Sequence, residues 1–156
     1  MNTVTEKEIA KLQAGLSLIR SAGKWTTEAF GEMLGVTKQT ISNLENLKTP
    51  MSKTQYIAIR AVLEYLMETE KAQDEVFCTT VNLILNPPDM TDEQIKTAQA
   101  FIEGATKAKL EKNAFINGLA ALIGSAAVGA LIPAMMSPMQ IRAARRWLER
   151  MIHDKF

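Results

Sequence analysis

Residues 26–46, TTEAFGEMLGVTKQTISNLEN, constrain the fold more tightly than any other stretch of the chain. Thr26 offers a side-chain oxygen to the free N–H groups of a helix starting at Thr27, and Glu28 stands near that helix's positive end. Gly35 follows Leu34 and suits the left-handed backbone that closes many helices and that other residues resist. Thr37 is placed to cap a second helix. On it Ile41 and Leu44 face inward, while Lys38, Gln39, Thr40 and Asn43 face outward. The expectation is two short helices joined by a tight turn.

The flanking sequence repeats the helical pattern. Thr5-Glu6-Lys7-Glu8 has the form of a capping box, and Ile9, Leu12, Leu16 and Ile19 recur at helical spacing, so a helix is expected near 6–21, closed by Gly23. Ser52-Lys53-Thr54-Gln55 opens another helix, with Tyr56, Ile59, Leu63 and Leu66 along one face. Residues 74–86, DEVFCTTVNLILN, fit a strand or a helix; with no partner strand in sight, a helix is expected. Asn86-Pro87-Pro88-Asp89 is a firm stop and the best boundary. Thr91-Asp92-Glu93-Gln94 starts a helix running to about Lys112, buried through Ile95, Ala98, Ile102 and Ala105. Ser137-Pro138 is a further start. Beyond it Ile141, Leu148, Met151 and Ile152 are expected on one face, and Arg142, Arg145, Arg146, Glu149 and Arg150 mostly on the other.

The class is therefore all-α. The organisation expected is a four- to five-helix domain over 1–70, a helical linker over 71–90 ending at Pro87-Pro88, and a helical region over 91–156. Hydrophobic residues make up 47% of the 156, ample for a core. The formal net charge of +1 announces no polyanion partner by itself. Its distribution says more: within 20–60, Arg20, Lys24, Lys38, Lys48, Lys53 and Arg60 stand against Glu28, Glu32 and Glu45, a modest local excess suited to phosphate.

Chemistry of other kinds finds little support. With one Cys and one His, Cys78 and His153, zinc-finger spacing and Cys–His catalysis are excluded. Cys78 sits in the apolar run VFCTTV and reads as a small core residue. No glycine-rich phosphate loop appears. No enzyme activity, metal or cofactor is expected. The start, MNTVTEKEIAKL, lacks the apolar core of a signal peptide, so a cytoplasmic location is expected.

The run Thr26–Glu45 resembles the helix-turn-helix of the Xre family of bacterial and phage repressors, the lambda and 434 repressor type. The matching residues are Thr26-Thr27-Glu28, Gly35-Val36-Thr37, Lys38-Gln39-Thr40-Ile41-Ser42 and Leu44-Glu45-Asn46, with Pro50 after the helix. The likeness spans residues 5–68. It implies that Lys38, Gln39 and Asn43 reach base edges in the major groove and that Thr40 touches a base or a thymine methyl. It further implies phosphate contacts from Thr27 and Lys48. Thr27 stands where many members carry the longer Gln, and Gly31 where Ala is usual; Gly31 is read as structural. Trp25 and Leu44 are read as core, and Glu45 as a salt-bridge or packing residue. Family members read near-palindromic double-stranded DNA as dimers, with half-sites roughly 34 Å apart, so a homodimer or higher oligomer is expected.

The remaining feature is apolar. No charged residue appears between Asn113 and Ile141, and residues 114–136 are long enough to span a bilayer. Ala120 and Gly124, Ala121 and Ser125, and Ser125 and Gly129 set small residues four apart. One reading is an anchor holding the protein at the inner face of the cell membrane. The other is a helix or hairpin, turning near Gly124-Ser125, buried in an oligomer. Arg142, Arg145, Arg146 and Arg150 after the segment oppose a single span, because they would lie outside. The closing helix is read as covering the core, with lipid or phosphate contact as its other possible uses. The functional expectation is a sequence-specific DNA-binding transcriptional regulator, a repressor. The alternatives are a membrane-associated interaction protein anchored through 114–136, with a membrane or protein partner through 114–156, and an antitoxin-like regulator whose C-terminal half grips a protein.

Overall fold

Four of the start signals are occupied as caps. Thr26, Thr37, Ser52 and Thr91 each accept a hydrogen bond from the backbone N–H three residues on, and Ser52–Gln55 and Thr91–Gln94 close full capping boxes. The computed structural model describes residues 4–132 and 147–153. Those residues form helices and no strand. They are α1 (Val4–Ala22), α2 (Thr27–Leu34), α3 (Lys38–Glu45), α4 (Lys53–Glu68), α5 (Glu75–Leu85), α6 (Asp92–Ala108), α7 (Lys112–Ile123), α8 (Ser125–Leu131) and α9 (Trp147–His153).

Helix ends depart from the sequence reading in an instructive way. α1 already includes Val4 and Thr5, so Thr5 is not its cap. It closes not on Gly23 but on Lys24, whose φ of 63° lets Trp25 N–H reach the Arg20 carbonyl. Leu47 (φ 58°) ends α3 the same way, and Lys109 (φ 53°) ends α6 short of Lys112. Each is a left-handed residue with a side chain, costing about 1 kcal/mol or more relative to glycine, and sequence alone does not mark such positions. Glu111 then caps α7 by accepting from Ala114 N–H.

Two apolar clusters organise the packing. The first gathers Leu12, Leu16 and Ile19 of α1 with Phe30, Ile41, Leu44, Tyr56, Leu63, Phe77 and Val81, so α1 to α5 share it. The second joins Leu83 of α5 to Ala98 and Ile102 of α6, Phe115 and Leu119 of α7, and Val128 and Leu131 of α8. Residues 75–85, expected within a linker, are thus the wall common to both clusters, buried continuously from Phe77 to Leu85. That all-round burial explains why the segment fitted a strand as well as a helix: apolar and β-branched residues occupy every face, and no single periodicity stands out.

The uncharged stretch is broken at Gly124, whose φ of 93° ends α7 and begins α8. Its apolar side chains Phe115, Leu119, Ile123, Val128 and Leu131 are buried in this chain's own second cluster. Asn82 Nδ2 donates to the Leu131 carbonyl at 2.8 Å, fastening α8 to α5. Among the described residues no helix is long and apolar enough to cross a membrane. Residues 133–136 of that stretch, the start at Ser137, and Ile141, Arg142, Arg145 and Arg146 lie outside the described residues.

The closing helix packs differently from expectation. Trp147 and Met151 are its buried residues, while Leu148 and Ile152 are exposed. The reason is the seat: Trp147 fits over α4, edge-on to Tyr56 with ring centroids 5.9 Å apart and 4.6 Å from the Arg60 guanidinium carbon. Its Nε1–H donates to Glu64 at 2.9 Å. Arg150 pairs with Glu8 of α1 at 2.8 Å.

Candidate nucleic-acid interface

The interface is built from the turn outward. At the end of α2, Gly35 adopts φ 76°, and Val36 N–H reaches back to the Gly31 carbonyl at 2.9 Å. A Cβ on Gly31 would lie 2.7 Å from the Val36 carbonyl oxygen, closer than real Cβ contacts come. Gly31 is therefore what lets the chain fold tightly back over α2, and its structural reading stands on that contact.

α3 is then held from behind by α1. Gln13, nearly buried, donates through Nε2 to the carbonyls of Leu44 (3.0 Å) and Thr49 (2.7 Å), and its Oε1 accepts from Met51 N–H at 2.9 Å. One amide thus satisfies three backbone groups where α3 ends and the chain crosses to α4. Arg20 grips Glu45 in a two-pronged pair, Nε to Oε2 at 2.6 Å and Nη2 to Oε1 at 2.9 Å, and also donates to the Trp25 carbonyl. The hydrogen bond to Glu45 raises the Arg20 pKa above its ordinary value, with burial opposing. Glu45 is spent on this contact, as its salt-bridge reading required. Trp25 stacks on Phe30 with centroids 5.6 Å apart and meets Phe77 edge-on at 5.4 Å, a core role.

With its rear fixed, α3 presents Lys38 and Gln39 exposed and Thr40 and Asn43 half-buried. Gln39 Nε2 donates to Asn43 Oδ1 at 2.9 Å, one turn along. This leaves Gln39 an acceptor oxygen and a second N–H, and leaves Asn43 its two amide hydrogens. The Thr40 hydroxyl lies 2.9 Å from that of Thr37, so it belongs to the cap as well as to the outer face. Thr27 is half-buried at the first turn of α2, where the unpaired N–H groups point outward. Lys48 is exposed in the loop after α3, its backbone N–H bonded to the Asn43 carbonyl at 2.9 Å. Lys38, Gln39, Asn43 and Lys48 thus belong to one short helix and the loop that ends it, and Thr27 to the helix before the turn.

Sequence reasoning missed Gln13 and the pairing of Arg20. A signal existed: Gln13 is four residues from Ile9 and Arg20 four from Leu16, polar groups on a stripe otherwise apolar. Arg60 carries the same mark, four from Tyr56. It is fully buried, with Nη1 on the Tyr56 hydroxyl at 2.6 Å, Nη2 on Asn86 Oδ1 at 2.7 Å and Nε on Glu64 at 3.2 Å. Among the described residues no group of His, Cys, Asp and Glu is arranged to hold a metal.

No known family model matches this chain, and neither a curated protein nor a solved structure matches it.

Proposed function

We propose that this protein is a sequence-specific DNA-binding regulator of transcription, a repressor, that inserts α3 into the major groove. The arrangement of α1 to α4 around the first cluster is read as a lambda-repressor-like domain of the Xre type. The observation that carries the reading is the paired support of α3. Gln13 and Arg20 fix its inner side, while on its outer side Lys38 and Gln39 are exposed and Asn43 half-buried, and the one bond between Gln39 and Asn43 leaves each amide further hydrogen-bonding groups. A solvated surface helix has no need of such backing; a rod that must meet base edges at a set angle does.

In this reading Lys38, Gln39, Thr40 and Asn43 discriminate between sequences. Lys48 and the N-terminal turn of α2 at Thr27 hold phosphates and set the register. A single α3 spans about half an operator, so the working form is a dimer on a near-palindrome. Within the described residues, α6 packs on α1 and α5, α7 and α8 pack on α5, and Lys38 and Gln39 of α3 are exposed. Selection of bound duplexes from a random pool tests the proposal. It yields an inverted repeat with half-sites about one helical turn apart, bound with an affinity that falls steeply as salt rises. A pool that never enriches refutes it.

A further inference from the structure

The seam between α1 and α6 is not packed shut. Three adjoining hollows of about 230, 530 and 420 Å³ run along it, sharing Ala14, Lys96 and Gln99 at one junction and Ser21 and Thr106 at the other. The gap has a sequence cause: α1 turns Ala14, Ser17 and Ser21 toward α6, and side chains this short cannot reach across. From Lys11 to Ala22 the trench follows α1 for roughly 16 Å. An extended peptide of about five residues has that length.

The trench has a charge sign. Lys11, Lys24, Lys96, Lys107 and Lys109 line it against Asp74, Asp92 and Glu103. Glu103 and Lys107 offset one another at 3.3 Å, and Asp74 is engaged by Lys71 at 3.8 Å, which leaves Lys11, Lys24, Lys96 and Lys109 against Asp92. Leu18, Leu83, Val76 and Ala105 give the floor apolar stretches, and Ser17, Gln99 and Thr106 add hydrogen-bonding walls. No aromatic side chain lines any of the three hollows. A single-stranded nucleic acid would therefore find no ring on which to stack its bases. From the charge, the length and this lack of rings, we infer that the α1–α6 trench is a docking site for an extended acidic peptide segment of a partner protein.

The site is independent of the DNA reading. Gln13 and Arg20 project from α1 toward α3, whereas the trench lies on the side of α1 turned to α6. A partner seated there rests on α1, the helix that backs α3.

The test uses the full chain and a fluorescein-labelled octapeptide of alternating Asp or Glu and Leu, followed by anisotropy and by amide chemical shifts. The expected result is saturable binding in the micromolar range, with shifts concentrated at Lys11, Ser17, Ser21, Gln99 and Thr106. Lys11→Glu with Lys96→Glu weakens it at least tenfold. Lys53→Glu, on α4 outside the trench, changes it less than twofold. Ser17→Trp, which fills the trench without altering charge, also abolishes binding. The inference is overturned by no saturation at millimolar peptide, by shifts centred elsewhere, by equal losses from trench and α4 reversals, or by a twelve-residue oligothymidine occupying the trench more tightly than the peptide. Circular dichroism confirms that each variant is folded; should the double reversal unfold, Ser17→Trp and the shift map decide alone.

Discussion

Arg20 and Glu45 meet through two hydrogen bonds of 2.6 and 2.9 Å, joining the last turn of α1 to the end of α3. Glu45 is shielded, its side chain 9% exposed against 21% for Arg20. The pair lies between the solvated ion pair that contributes little and the buried one that cannot lose a partner without a large cost.

Arg20→Ala is expected to lower the unfolding free energy by about 1–3 kcal/mol, since it strands a shielded carboxylate and frees the Trp25 carbonyl. The double variant Arg20→Ala with Glu45→Gln should recover part of that loss. Urea titrations of the two single variants and the double one measure the coupling; a coupling near zero would show that the pair does not anchor α3.

Gly31→Ala should destabilise the fold although alanine favours helices. The new methyl would meet the Val36 carbonyl at 2.7 Å, and backbone cannot yield as a side chain does. Overpacking of this kind costs about 1–3 kcal/mol, against roughly 1 kcal/mol of helix propensity regained. A thermal melt equal to or above that of the parent would contradict the tight return at Val36.

Trp147→Ala should cost about 3–5 kcal/mol by emptying the seat over Tyr56 and Arg60. Trp147→Phe should cost less, about 1–3 kcal/mol, keeping a ring but leaving Glu64 Oε2 without its donor. Denaturation followed by circular dichroism distinguishes them. If deleting residues 147–156 leaves the stability unchanged, α9 does not belong to the first cluster.

Cys78 is buried, and desolvation, with Asp74 and Glu75 adding to it, pushes its thiol up to about 12. In the unfolded chain the thiol ionises near its ordinary value of about 8.5. Between those values the unfolded state has lost a proton that the folded state keeps, so stability declines as pH rises, by up to about 1.4 kcal/mol per pH unit. Cys78→Ala should show a shallower alkaline decline between about pH 9 and 11. A residual slope in the same sense remains from Tyr56, which burial also raises. Thiol reagents at neutral pH should react with Cys78 only on unfolding; rapid labelling of the folded protein would overturn the burial.

Much of the helical framework was legible because its signals are local. Thr26, Thr37, Ser52 and Thr91 announce their helices through a bond to a backbone N–H three residues away, and Ile41 and Leu44 announce their burial by spacing. What was not legible depends on distance along the chain. Nothing near Trp147 says that it meets Glu64, and nothing near Gln13 says that its amide will hold Leu44, Thr49 and Met51. The boundary at Pro87-Pro88 does stop a helix, yet α5 before it packs on both sides because its burial is all-round rather than one-faced. The outward face of α3 was readable as an arrangement. That Gln39 would spend one hydrogen on Asn43 was open until both amides were placed.

The most direct test of the central claim is the affinity of Gln39→Ala for a selected operator and for random duplex of equal length at the same salt. If Gln39 reads a base edge rather than a phosphate, as proposed, the loss is about 1–3 kcal/mol on the operator, with little change on random DNA. Equal losses on both duplexes, or no binding of either duplex by the parent protein, would contradict it.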